Sequence, residues 1–296
     1  MVKKYPLLFF LLLSLTLFSQ NSSFYEKSDT LNIKRRNAII ISEGIVLSGA
    51  LISLNELWYK NYPQRNFHLK NDYNQWKQMD KVGHFMTSYY GGKLGMDALN
   101  WAGVSKKNQL IYGAGIGFVF LSAVEILDGF SEEWGASTSD VIANAAGTGF
   151  LIGQELLWKE QRISVKYSFH QTNFAKQRPA ILGENYFQQT LKDYNGQTYW
   201  LSANIWSFNK KSTIPKWLNI ALGYGAEGML YGNTTTSTLN NPYRQFYLSL
   251  DVDLTKIKTN SEFLKSVFSV VNFIKIPAPT LEINTKGRVR FHYLYF

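Results

Sequence analysis

Three pairs of polar residues, each set at helical spacing inside apolar sequence, are the residues best suited to chemistry. Asp80 and His84 are four apart, Glu125 and Asp128 three apart, and Asp140 and Asn144 four apart. Each pair therefore shares one face of a helix, and three such faces can converge on one pocket. An imidazole among carboxylates is a donor set for a divalent metal. The same groups suit general acid–base catalysis, with His84 carrying the proton and Asp80 or Glu125 orienting it. His84, Asp80 and Glu125 are the catalytic candidates; Asp128, Trp134, Ser137, Asp140 and Asn144 are the ligand-binding candidates. Familiar zinc sites use two or three histidines and this cluster has one, so the cofactor stays unspecified, with a divalent metal compatible.

Each member also has a structural explanation. Asp80 can cap a helix N-terminus, and Ser137 with Asp140 fits the S-x-x-D capping box. His84 can be a buried histidine bonded to a carboxylate, and Trp134, between glycines, an interfacial or packing anchor. Glu125 resists such a reading, because it sits late in the most apolar helix, where an unpaired charge is costly.

The elements that must position these residues differ between the two halves. The expected fold is α+β: a bundle of about four helices in residues 21–160, then an antiparallel β region in residues 161–296. The pattern predicts helices over Asn37–Tyr59, Gln78–Trp101, Asn108–Gly129 and Ser139–Lys159, each near bilayer thickness at 1.5 Å per residue. Gly113 and Gly117 form a GxxxG, which helices retain where a neighbouring backbone comes close. From Ile163 the period becomes two, predicting strands Ile163–Gln171, Tyr199–Phe208, Leu218–Leu230, Gln245–Leu254 and Thr280 to the C-terminus, with a short helix over Ser261–Phe273. The last strand places Phe291, Tyr293 and Tyr295 on one face and ends at Phe296, as outer-membrane barrels often end. The visible strands number fewer than the eight of a minimal barrel.

Residues 1–20 carry Lys3-Lys4, an apolar run and then a polar stretch, the pattern of a secretory signal peptide. Cysteine is absent, which excludes disulfides and thiolate chemistry and gives the expectation that the protein is not a lipoprotein. Net charge is +10, spread without the dense basic stripe of a nucleic-acid groove. Aromatic residues make up 16% of the chain, and Tyr and Trp favour the membrane interface. The expected location is the cell envelope, periplasm or outer membrane, with membrane lipid or an envelope component as partner, no nucleic acid, and an unspecified oligomeric state.

The polar residues also carry a family resemblance. Asp80-Lys81-x-x-His84-Phe85, Glu125-x-x-Asp128 and Ser137-x-x-Asp140-x-x-x-Asn144-x-x-Gly147 resemble the YfiM-like family of predicted periplasmic lipoproteins, a domain of unknown function. The pattern is more distantly similar to VanZ-like membrane proteins. The resemblance covers about Asp80 to Gly153, under a third of the chain. It implies an envelope protein with a helical core, touching lipid or glycopeptide chemistry, and no defined reaction. Two departures stand out. The chain lacks the cysteine of a lipoprotein, and Asp128 stands where VanZ-like chains usually place Gln, which adds a carboxylate and favours a metal or cation.

Three functions fit these observations: a membrane-associated envelope protein with a structural or ligand-binding role; an envelope hydrolase or transferase using His84; or a small outer-membrane barrel with an internal helical part.

Overall fold

The computed structural model describes residues 22–60, 62–233 and 241–296; the signal peptide expected over residues 1–20 lies outside the described residues. Helix α1 spans Ile33–Leu54, α2 Met79–Trp101, α3 Ile116–Phe130 and α4 Thr138–Trp158. Six strands follow: β1 Ile163–Phe169, β2 Gln197–Asn204, β3 Leu218–Glu227, β4 Tyr243–Val252, β5 Ala278–Asn284 and β6 Val289–Tyr295. Helix α5, Glu262–Val271, lies between β4 and β5. The mixed helix and antiparallel-sheet class is as the sequence predicts.

Helices α2, α3 and α4 form the packed part of the helical region. Glycine lets their backbones meet: a Cβ on Gly117 would lie 2.2 Å from the Ser88 carbonyl oxygen, and one on Gly147 2.1 Å from that of Phe85. Helix α1 stands apart from this group. Ile39 is its buried residue, meeting Leu99, Ala102 and Val104, while Ile40, Ile41, Ile45, Val46 and Ile52 are exposed. The expected four-helix bundle is thus three helices with a fourth leaning on one end. The reason is that the apolar residues of α1 run around its circumference and do not form one stripe to bury. The predicted helix over Asn108–Gly129 is also interrupted. A wide π-type turn occupies Gln109–Gly113, with the Ala114 N–H bonded to the Gln109 carbonyl at 2.9 Å, and the regular helix resumes at Ile116.

The sheet is a meander in the order β1-β2-β3-β4-β5-β6, every pair antiparallel. Its register aligns Val165, Leu201, Leu222, Leu248, Leu281 and Phe291 in one row across all six strands. The neighbouring row, on the opposite face, is Lys166, Trp200, Gly223, Tyr247, Glu282 and Arg290. The sheet curls around this second face. Tyr295 of β6 reaches Thr198 of β2 (3.2 Å) and Tyr247 of β4 (2.8 Å) by its hydroxyl. Residues 273–275, just before β5, lie parallel to β1: the Tyr167 N–H donates to the Phe273 carbonyl at 2.7 Å, and the Lys275 N–H to the Tyr167 carbonyl at 2.9 Å.

The polarity of this curl is inverted relative to a water-soluble sheet. Inside it, Lys166, Asp251, Lys275 and Glu282 are buried. Lys166 pairs with Asp251 at 2.9 Å with both side chains fully covered. Outside, Leu201, Ile220, Leu222, Phe246, Leu248, Leu250, Ile283 and Phe291 are exposed. Helix α2 lies against the outer face over β1 and β2, where Tyr89 packs with Val165 and Met79 with Tyr199. The helical part is therefore not internal to the sheet, which corrects that expectation; polar and aromatic side chains fill the curl themselves.

Two further expectations change. The segment from Thr280 onward is two strands, because Asn284 Oδ1 accepts the Lys286 and Arg288 N–H groups (3.1 and 3.2 Å) and Gly287 adopts φ +75°, an Asx-type turn chemistry. Tyr295 does not share the face of Phe291 and Tyr293. Ala278 pairs with Tyr295 but Thr280 with His292, so β6 carries one extra residue, a bulge that turns Tyr295 inward.

Candidate functional site

The ends of three helices meet where α2 and α4 begin and α3 finishes. Helix α4 starts at the Ser137 cap, whose hydroxyl accepts the Asp140 N–H at 3.2 Å. Helix α2 is entered through Trp76, Lys77 and Gln78, all at positive φ (47°, 51° and 63°). A left-handed conformation costs a non-glycine residue roughly 1–2 kcal/mol, so outside contacts must hold this turn. They come from the sheet: Tyr224 donates to the Lys77 carbonyl and Arg244 to the Gln78 side chain.

The turn delivers Asp80, Lys81 and His84 to the α4 terminus. The Lys81 ammonium lies 2.7 Å from Asp72, 3.0 Å from Asp80 and 2.8 Å from Asp140. His84 Nδ1 meets Asn144 Oδ1 at 3.0 Å. Its Nε2 faces Asp80 Oδ1 at 3.8 Å and Asp140 Oδ1 at 3.9 Å, while Glu125 Oε1 lies 3.7 Å from Nδ1. Glu125 Oε2 accepts the Ser137 N–H at 2.9 Å. Three buried atoms here have no hydrogen-bond partner: Glu125 Oε1, Asp140 Oδ1 and Asn144 Nδ2.

Of the residues singled out from the sequence, Asp80, His84, Glu125, Ser137, Asp140 and Asn144 come together. Asp128 borders the cluster, where the charges of His84, Asp80 and Asp140 reach its carboxyl, and Trp134 packs against aromatic rings beside it. Asp128 is bonded by the Tyr59 hydroxyl at 2.7 Å, and Trp134 packs edge-on against Tyr59 and Tyr62. Three participants carried no spacing signal. Lys81 was visible only within the D-K-x-x-H-F motif. Asp72 comes from the strap before α2, accepting hydrogen bonds from Ser137 (2.6 Å) and Ser139 (3.1 Å). Tyr194, 114 residues from Asp80 in sequence, donates to its carboxylate at 2.7 Å. No helical period could have pointed to either.

The electrostatics follow from burial and crowding. Burial opposes charge on His84, but Asp80, Asp140 and Glu125 outweigh it and hold the imidazole above its usual range. Burial likewise opposes ionisation of Asp80, and the charges of His84 and Lys81 overcome it, leaving the carboxyl below its usual range. Asp140 is pushed up to about 6 by burial and then by Asp80. Four carboxylates (Asp72, Asp80, Glu125, Asp140) thus face one ammonium and one imidazole, an excess of acid in a largely buried place.

Ser137→Ala removes both the α4 cap and a ligand of Asp72. Loss of a serine cap costs about 1 kcal/mol, and the variant is expected to unfold at lower denaturant concentration by that amount. An unchanged midpoint would show that the α4 terminus is held by other contacts.

The family described as "predicted periplasmic lipoprotein (DUF2279)" matches residues 70–153. That segment holds α2, α3 and most of α4, and it contains every cluster residue named above except Tyr194. The match covers under a third of the chain; it is a likeness to an uncharacterised periplasmic family and supports export to the periplasm. It also corrects one expectation: the family is described as lipoproteins, so the exclusion of a lipoprotein drawn from the absence of cysteine does not stand. No curated protein and no solved structure matches the chain.

Proposed function

We propose that this chain is a membrane-embedded protein of the cell envelope whose His/Asp/Glu cluster binds a small polar ligand near the bilayer boundary. The observation that carries the membrane reading is the inverted polarity of the sheet, with a buried Lys166–Asp251 pair inside and an exposed leucine row outside. Spanning barrels alternate in this way, apolar toward lipid and polar toward the interior. In water the arrangement would expose a continuous apolar patch of a size that soluble monomers rarely carry.

Two helical segments support the same reading. Ile33–Leu54 and Lys106–Phe130 are long and apolar enough to cross a bilayer, with mean hydropathies of 1.8 and 2.0. The first is almost wholly unburied by the rest of the protein, so a core position does not explain its composition. Ligand binding is favoured over proton transfer because His84 Nε2 faces two carboxylates, and among the described residues the hydrogen bond of the imidazole runs to Asn144 and not to a hydroxyl or amine that it could activate. The division near residue 160 is the boundary between the helical and sheet parts. Val165 and Tyr199 pack with α2 across it.

Membranes washed in alkaline carbonate test this. The protein is expected to stay with the pellet and to enter solution only with detergent. Leu222→Lys and Leu248→Lys, on the outer row, are each expected to cost about 2–4 kcal/mol if they sit at the bilayer midplane. Release by carbonate, with lysine variants as stable as the parent, would sink the membrane reading.

A further inference from the structure

The cluster between α2 and α4 gathers Asp80, His84 and Asp140 around one small space. We infer that Asp80, His84 and Asp140 form a binding site for one divalent transition-metal cation, ligated by Asp80 Oδ1, His84 Nε2 and Asp140 Oδ1. This names the ligand class for the polar site proposed above and rests on that reading of the cluster.

The first support is geometric. The three ligand atoms lie within 4.8 Å of one another, and Nε2 is 3.8 and 3.9 Å from the two carboxylate oxygens. These gaps are too long for hydrogen bonds. An ion with bonds of about 2.0–2.2 Å to imidazole and carboxylate would bridge both. The Lys81 ammonium donates to Asp80 Oδ2 and Asp140 Oδ2 (3.0 and 2.8 Å), and Asp80 Oδ1, which faces His84, also accepts the Tyr194 hydroxyl at 2.7 Å. The ammonium also lies 2.8 Å from Asp140 Oδ1, yet that oxygen accepts no hydrogen bond.

The second support is the arrangement behind the ligands. Asn144, fully buried, meets His84 Nδ1 through Oδ1 at 3.0 Å. With the amide oxygen as acceptor, Nδ1 carries a proton and Nε2 is the ring atom aimed at the two carboxylates. Two carboxylates so placed call for positive charge at Nε2, which a proton or a bound metal ion supplies. Metal-ligating histidines are oriented in this way, by a hydrogen bond from the other ring nitrogen. The third support is the orphaned acid. Glu125 is 4% exposed, and its Oε1 has no partner while lying 3.7 Å from the imidazole. An unsatisfied buried carboxylate oxygen is costly, and added positive charge at His84 relieves it.

The test uses the full chain, purified in detergent, stripped of metal and titrated calorimetrically with Zn²⁺ and Mn²⁺. One equivalent of at least one ion is expected to bind saturably and to raise the unfolding temperature. Asp140→Asn and His84→Gln each should weaken binding by more than about tenfold, and Asn144→Leu, which acts through the imidazole, by roughly 10–100-fold. Near-UV circular dichroism of each variant reports whether it folds. Zinc-edge absorption on the unaltered protein needs no variant, and should show an oxygen/nitrogen shell with a single imidazole. Absence of saturable binding, undiminished affinity in the Asp140→Asn/His84→Gln double variant, or a shell with no imidazole or several overturns the site. The carbonate wash on the same preparation separates the two readings. Retention without metal binding overturns the cation site alone, and release from the membrane overturns the membrane reading.

Discussion

Asp251→Ala is expected to destabilise the protein by about 3–5 kcal/mol, the range for removing one partner from a buried charge pair. Asp251 is 1% exposed and carries several dependents at once. It pairs with Lys166 at 2.9 Å and faces Lys275 at 3.9 Å. It accepts the Ser202 hydroxyl at 2.6 Å and the Ile276 N–H at 3.0 Å. Its removal leaves two ammonium groups inside the curl, Lys166 and Lys275, with carbonyl oxygens of residues 250, 252 and 276 and the Trp200 ring face as partners but no carboxylate paired with them. Carbonyl dipoles do not neutralise a full charge in a medium of low dielectric. Chemical unfolding in detergent measures the loss directly, and poor accumulation in cells is its coarser sign. The Lys166→Met/Asp251→Leu pair should recover part of the loss but not all, because Lys275 remains without its carboxylate. A single-variant cost below about 1 kcal/mol, far under the range for a buried pair, would mean that water reaches this interior and solvates the lysines.

Gly117→Ala and Gly147→Ala make the second large effect. Each added methyl meets backbone, which no rotamer change can move aside: the Ser88 carbonyl at 2.2 Å and the Phe85 carbonyl at 2.1 Å. The helices must separate, and overpacking of this kind costs about 1–3 kcal/mol. Both contacts fall on the α2 turn that follows His84, and Gly147 lies three residues beyond Asn144. Separation therefore shifts the imidazole relative to its partners as well as loosening the core. Gly149 and Gly153, on the same α4 helix, would have nothing within 4 Å of an added methyl, and alanine there should be neutral or stabilising by up to about 1 kcal/mol through helix propensity. Equal effects at all four positions would show that propensity, not contact, governs α4.

That contrast also shows why some of this structure was readable in advance and some was not. Helices α2 and α4 obey local rules, a cap at Ser137 and polar pairs four apart, and their ends fall within a residue or so of the prediction. The convergence of Asp80, His84, Glu125 and Asp140 follows from those spacings together with the glycine contacts. Asp72 and Tyr194 reach the same site from a strap and from the β1–β2 connection, so only tertiary folding could reveal them. The π-type turn at Gln109–Gly113 preserves helical composition while changing the bond pattern, which a period of 3.6 does not distinguish. The β6 bulge is equally hidden: alternation of aromatic residues is intact in the sequence, and one extra residue in the register turns Tyr295 from the outer face to the inner. The short helical turns Phe174–Gln177, Pro179–Leu182 and Tyr186–Lys192 are too brief to impose a period at all.

The pairing of residues 273–275 with β1 bears on the order in which the chain is assembled. Synthesis and export proceed from the N-terminus, so β1 emerges roughly a hundred residues before the segment that covers its edge. Until then Tyr167 offers an unsatisfied N–H and C=O on an open strand, the kind of template that recruits foreign strands. Contacts so distant in sequence form late, because the loop they close carries its entropy cost before any reward. The closing stretch is therefore a terminal latch on a vectorial process. A growing chain stays vulnerable to mispairing along β1 through the latter part of its passage, and becomes self-contained only as its final segments arrive.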